Sequence, residues 1–228
     1  MSGLETLPML AVDTSGPALR MAIGFGEDRM VTYEEKLVIS HGRVMLKKID
    51  DLLHSSGLAG RDLRSLTVSV GPGSFTGLRI GLSMAKGLAT ALDLVMVSVS
   101  AFELAAFKLA ERPNPVTVLV PFKKDACFSV TVSGGEWIEP SVAAVAYRDL
   151  RATTDGEDLV ALDEGVVTRA RDSGVEREIE LIPLAAADLI HLGRQKLRRA
   201  DVADIDTLEP LYLQKSQAEI RFDQRQRP

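Results

Sequence analysis

The chain has 228 residues, 46% of them hydrophobic and 26% charged, with a formal net charge of -5 at pH 7. That length holds one large or two small domains; the composition excludes a wholly disordered chain, and the acidic balance argues against a free-standing nucleic-acid binder, which carries a basic excess. A single cysteine, Cys127, excludes an internal disulfide and a cysteine-based zinc site, while Met1 to Pro8 show no secretory pattern and no apolar run approaches the ~20 residues that span a bilayer, so a soluble cytoplasmic protein is expected.

From the N-terminus, Met9 to Val12 reads as a short buried strand, Asp13-Thr14-Ser15-Gly16-Pro17 as a turn and Leu19 to Phe25 as a returning strand. After a second turn, Gly26-Glu27-Asp28, Met30 to Lys36 completes an antiparallel meander. Arg43 to Leu53 carries apolar residues at Met45, Leu46, Ile49, Leu52 and Leu53, an amphipathic helix ending near Ser55-Ser56-Gly57. Leu66, Val68 and Val70 then alternate with Thr67 and Ser69, the period of a strand with two unlike faces.

That strand runs into the turn Gly71-Pro-Gly-Ser-Phe-Thr-Gly-Leu-Arg-Ile-Gly81 and on into a helix reaching Leu92. A Walker A loop is excluded, because Gly77 is followed by Leu78 and Arg79 where lysine and a hydroxyl are required. A dinucleotide fingerprint is disfavoured: Gly71, Gly73 and Gly77 are loosely spaced, and Asp93, at the ribose-binding distance of about 20 residues, precedes the next apolar run instead of closing it. A nucleophile elbow fails because Pro72 and Thr76 flank Ser74 where glycines belong. Two readings remain, an ordinary tight turn and a backbone nest whose N–H groups and helix dipole favour an anion.

Within the helix, Leu78, Leu82, Ala85, Ala89 and Leu92 share a core-facing stripe. A second stripe, Gly77, Gly81, Ala85 and Ala89, recurs every fourth residue, although each interior glycine costs about 1 kcal/mol against alanine. Small residues let another backbone come close. For any one glycine, packing on the chain's own sheet is the simpler reading; the whole stripe, with Leu78, Leu82 and Met45, Ile49 and Leu52 of the preceding helix, is expected to face a partner.

Val95 to Val99 reads as a strand and Ala101 to Leu109 as a helix opened by Ser100, an N-cap residue. Arg112-Pro113-Asn114-Pro115 interrupts the pattern and marks a boundary between an N-terminal domain over 1–112 and a smaller domain over 113–228. Strands at Val116 to Val120, Cys127 to Val132 and Leu159 to Leu162, a turn at Gly134-Gly135, and a helix at Ala185 to Leu197 follow. Near that helix end, Arg194, Lys196, Arg198 and Arg199 form a basic cluster that complements the helix dipole. Two α/β halves, each opening with strands and closing with helices, suggest a duplication.

Leu10-Ala-Val-Asp-Thr-Ser15, the turn Gly71 to Gly81, Ala85-Lys-Gly-Leu88 and Pro210-Leu-Tyr-Leu213 together resemble the TsaB (YeaZ) family, in order over nearly the whole chain. The resemblance implies an α/β protein of the actin-like, sugar-kinase-like ATPase (ASKHA) fold, with two similar domains built on mixed sheets. It also implies the dimerisation subunit of the bacterial complex that attaches threonylcarbamoyl to the adenosine beside the anticodon of tRNA. Such a subunit is noncatalytic. It pairs with a TsaD homologue through helices of its first domain, helps recruit a TsaE ATPase homologue, meets tRNA only through the complex, and forms a homodimer when alone.

Under the same resemblance, Asp13-Thr14-Ser15 corresponds to a first phosphate loop, so a nucleotide would sit between the halves against Asp13, Thr14, Ser15, Gly71, Pro72, Gly73, Ser74 and Thr76. Those residues equally suit a hairpin turn whose short polar side chains bond their own backbone. The loop Pro121 to Ala126 departs from the family's second phosphate loop, which begins with aspartate and contains glycine. Weak ATP or ADP binding, no required cofactor and no hydrolysis are therefore expected. The catalytic relative stacks a His-x-x-x-His metal pair on one helix face, whereas here His41 is followed four residues later by Met45, and His54 lies well around the helix. No metal site and no catalytic residue are expected. An ATP-dependent phosphotransferase of this fold would need an acidic base and complete phosphate loops, and a metallopeptidase would need a ligand cluster; neither set is visible.

Overall fold

The computed structural model describes residues 3, 6–26, 28–36, 41–150 and 158–213; Glu27 of the second expected turn and the side chains of His41 and Arg43 lie outside that description. The first half consists of β1 (Met9–Asp13), β2 (Ala18–Phe25), β3 (Arg29–Lys36), α1 (His41–Ser55), β4 (Ser65–Gly71), α2 (Phe75–Leu92), β5 (Val95–Ser100) and α3 (Ala101–Lys108). The second consists of β6 (Val116–Pro121), β7 (Ala126–Ser133), β8 (Glu136–Trp137), β9 (Ala143–Ala146), β10 (Asp158–Ala161), α4 (Glu164–Asp172), β11 (Ile179–Leu181) and α5 (Ala186–Arg198).

One sheet has the order β3-β2-β1-β4-β5 and the other β11-β10-β6-β7-β8, with β9 also beside β7. β1, β2 and β3 pair antiparallel, and β4 and β5 then add in parallel. In the second sheet β6 pairs antiparallel with β7, which holds β8 and β9, while β10 and β11 add in parallel on the other side. The two halves thus repeat one plan. Parallel neighbours need a crossover, and α2 and α4 supply it between β4 and β5 and between β10 and β11.

The last helix of each half binds the two sheets together. α3 reaches β7 and β8, and α5 lies across β1, β2 and β5. Phe102 of α3 and Leu189 and Ile190 of α5 are fully buried in one core with Met9, Val118 and Val130. The segment after α5 stays on the first sheet, where the Ala203 N–H donates to the Met96 carbonyl and the Leu211 N–H to the Val70 carbonyl, both at 2.8 Å. Among the described residues no helix is long and apolar enough to cross a membrane.

The caps follow from the sequence. Ser74 Oγ accepts from the Gly77 N–H at 3.2 Å to open α2, and Ser100 and Glu103 form a capping box at α3. Asp93 closes α2 in the left-handed region, with φ of 53°, so it serves as a helix terminator at the place where a ribose ligand was weighed.

The basic cluster is only partly a dipole effect. Arg194 is buried and donates to the Gly26 carbonyl at 2.7 Å. Lys196 bridges Glu103 of α3 at 2.6 Å and Asp201 at 3.1 Å. Burial opposes the charge on Lys196, but these two carboxylates outweigh it and hold its pKa above the ordinary lysine value. Two of the four cations therefore brace the helices that join the halves.

Cys127 is fully buried, and burial pushes its thiol up to about 11. Thiolate, the reactive form, is then scarce at neutral pH. Thiol labelling of the native chain is expected to be at least ~100-fold slower than in denaturant, in line with the protection of a core group that reacts only on opening; equal rates would place Cys127 outside the core.

Candidate functional site

The turn after β1 and the turn after β4 leave neighbouring parallel strands and meet at the same end of the first sheet. Three glycines allow the contact. A Cβ on Gly73 would lie 2.3 Å from the Ser15 carbonyl oxygen, one on Gly77 2.1 Å from the Thr14 carbonyl oxygen, and one on Gly81 2.1 Å from Thr14 Oγ1. Hydrogen bonds close the joint: Thr14 Oγ1 donates to the Gly77 carbonyl at 2.8 Å and the Ser74 N–H donates to the Ser15 carbonyl at 2.7 Å.

This packing corrects the expected partner face. Gly77, Leu78, Gly81, Leu82, Ala85 and Ala89 are all buried, and so are Met45, Ile49 and Leu52 of α1. Their contacts are with the chain's own sheet and first turn. The stripe of small residues is what lets Thr14 sit against α2. The outer faces lie beside it: Ile80, Met84 and Leu88 of α2, again four residues apart, are half-buried, and Leu46 of α1 is 56% exposed. At Gly87 an added Cβ would meet nothing within 4 Å.

Several of the groups expected to meet a phosphate are engaged within the chain. Asp13 is 1% exposed; its carboxylate accepts from the Ser15 N–H at 2.8 Å and from Arg20 at 3.1 Å. Ser74 N–H is taken by Ser15 and Ser74 Oγ by Gly77. Gly71 and Pro72 are buried, while Ser74 and Thr76 stay exposed at the rim. Between the halves, a cavity lined by Ser15, Pro17, Arg20, Gly73, Pro121 and Asp163 measures about 30 Å³. That admits a water or two, whereas small-molecule sites run to roughly 300–1,000 Å³. In the second half, the Lys123 N–H donates to the Ala126 carbonyl at 2.9 Å, which turns the Pro121 to Ala126 loop back on itself, and Asp163 caps α4 through the Gly165 N–H. Calorimetry with magnesium-ATP is expected to give at most a weak signal on the isolated chain, diminished by Asp13→Ala. Unchanged affinity in that variant would remove the first turn from the nucleotide site.

Among the described residues no group of three or more His, Cys, Asp or Glu side chains is arranged to hold a metal ion. His54 Nδ1 lies 2.9 Å from the Asp50 carbonyl of its own helix.

The structure also joins two motifs that sequence reading left apart. Arg79 Nε donates to the Tyr212 hydroxyl at 3.0 Å, and its guanidinium lies 3.9 Å from the centre of the Phe75 ring. Phe75 and Tyr212, both partly exposed, pack with ring centres 5.3 Å apart. With Lys86 reaching the Asp206 carbonyl, these contacts strap residues 206–212 along α2. Cation–π and aromatic pairs of this kind contribute about 0.5–1.5 kcal/mol each. A separation of more than a hundred residues hides such a pair from any local pattern.

Comparison with known proteins bears on what this assembly is. The family profile for TsaD, tRNA N6-adenosine threonylcarbamoyltransferase, matches residues 35–146. The tRNA threonylcarbamoyladenosine biosynthesis protein TsaB of Haemophilus influenzae is 35% identical over 133 residues, 57% of this chain and 56% of that protein. TsaB of Bacillus subtilis is 26% identical over 97% of this chain and the whole of its own length. Among solved structures, YeaZ from Pseudomonas aeruginosa superposes with a TM-score of 0.72 at 25% identity, covering 91% of this chain and all of its own. A Bacteroides thetaiotaomicron protein with an actin-like ATPase fold superposes at 0.51 with 9% identity over 84% of this chain and 98% of its own, a likeness of fold alone. With two mixed-sheet α/β halves of the actin-like ATPase fold and matches to TsaB proteins along nearly its full length, the chain belongs to the TsaB (YeaZ) family of tRNA threonylcarbamoyladenosine biosynthesis proteins.

Proposed function

We propose that this chain is a noncatalytic subunit: it pairs with a TsaD-type transferase, helps place a TsaE-type ATPase, and so enables threonylcarbamoyl transfer to the adenosine beside the anticodon of tRNA. One observation carries the noncatalytic part. The Ser15 N–H of the first turn is spent on Asp13, and the Ser74 and Gly77 N–H groups of the second turn on Ser15 and Ser74 of the chain itself, and catalysis of phosphoryl transfer is almost entirely the positioning of such groups on the phosphate. The family assignment supports the pathway, and the half-buried outer stripe of α2 with exposed Leu46 supports a partner face on α1 and α2. Alone, the chain uses that face for a homodimer.

The net charge of -5 and the inward turn of Arg194 and Lys196 support tRNA contact through the complex. A tRNA substrate places the work in the cytoplasm. The two halves act as domains over 1–112 and 113–228, with α5 and its following segment fastening the second to the first. The purified chain is expected to show neither ATP turnover nor threonylcarbamoyl transfer. Robust activity in a preparation free of TsaD and TsaE would refute the noncatalytic assignment.

A further inference from the structure

Asp13, Arg20 and Glu34 form a row across three strands. Asp13 of β1 is directly opposite Arg20 of β2, and Arg20 is directly opposite Glu34 of β3. Cross-strand neighbours on one face lie close enough for opposite charges to interact. Arg20 donates to Asp13 Oδ2 at 3.1 Å, and its Nε lies 3.9 Å from Glu34 Oε2. The row continues beyond the sheet: Glu34 Oε1 accepts from the Ala186 N–H, the first of α5, at 2.7 Å. A helix start leaves its first N–H groups without an intrahelical partner and favours a carboxylate. Here that carboxylate comes from the other half of the chain.

We infer that Arg20 is a built-in cation that locks the joint between the halves. It neutralises a carboxylate that is almost wholly buried and orients Glu34 on the start of α5, so the β1–β2 turn and the last helix are held in one ion network. The side chain of Arg20 is only 13% exposed and lines the same small cavity as Ser15, Gly73 and Asp163, which come from both halves. Its charge therefore acts where water screens it little. A bound cation or ligand is not needed to set the turn, because the chain carries its own. This role goes beyond partner pairing and stands whether or not the chain binds TsaD.

Hydrogen exchange on the full chain, read by mass spectrometry, tests the network. Arg20→Met keeps an apolar stem and removes the charge. It is expected to speed exchange about ten-fold or more at residues 14–16 and at 186–188, with β6 and β7 unchanged, the signature of local rather than global opening. Glu34→Ala, on an exposed residue, removes the acceptor of the Ala186 N–H and should speed 186–188 alone. Asp13→Asn combined with Arg20→Met should restore protection in the turn, since no unpaired carboxylate remains, and leave 186–188 fast. Unchanged exchange at both places, or a uniform rise through both sheets, overturns the proposal. Should Arg20→Met not fold, Glu34→Ala decides by itself, and wild-type protection at 186–188 in that variant overturns the proposal.

Discussion

Gly81→Arg is expected to leave a chain that does not fold. Even alanine at this position would put its Cβ 2.1 Å from Thr14 Oγ1, so the first turn must move away from α2 and the bond from Thr14 to the Gly77 carbonyl is lost. Overpacking of this kind costs about 1–3 kcal/mol and the lost bond about 1 more. For a chain of this size, Gly81→Ala should lower the melting temperature by roughly 5–15 °C. Arginine adds an unpaired buried charge, several kcal/mol again, which brings the total near the ~5–15 kcal/mol that holds most domains folded. Circular dichroism and urea unfolding of the two variants check this. Wild-type melting of Gly81→Arg would return the glycine stripe to an outer surface.

Met84→Glu should have the opposite profile. Its side chain is half-buried on the outer stripe with Ile80 and Leu88, so the isolated fold should lose about 1 kcal/mol or less. At an interface with TsaD the same carboxylate would be buried without a partner, a penalty of about 2–5 kcal/mol, or about 30-fold to several thousand-fold in Kd. Titration calorimetry against a TsaD homologue, run beside thermal melting, separates the two effects. Undiminished affinity would move the interface off α2.

The meander, the Ser100 cap of α3 and the turn between β4 and α2 were legible because alternation, cap chemistry and glycine content are local properties. β8, β9 and β11 span two to four residues, too short to show a period, and α4 buries only Val166, Val167 and Ala170. The stripe on α2 was legible as a close-approach surface, yet what approached it was not. The answer, Thr14, depends on how β1 and β4 lie side by side, and spacing within one helix carries no trace of that. Arg20 likewise looks like the polar member of an alternating strand; only the register of three strands shows it between two carboxylates. Both cases belong to tertiary closure, where propensity and pattern have no purchase.

The central claim is that this chain contributes no chemistry and is nevertheless required. Omission and add-back in a reconstituted threonylcarbamoylation of tRNA tests it most directly. With TsaD, TsaE, ATP and the threonylcarbamoyl donor present, modification should fall to background when this chain is left out and recover when it is added in amounts equal to TsaD, while the chain with donor and tRNA alone yields nothing. Full modification in the mixture lacking this chain, or any product from the chain alone, would contradict the account.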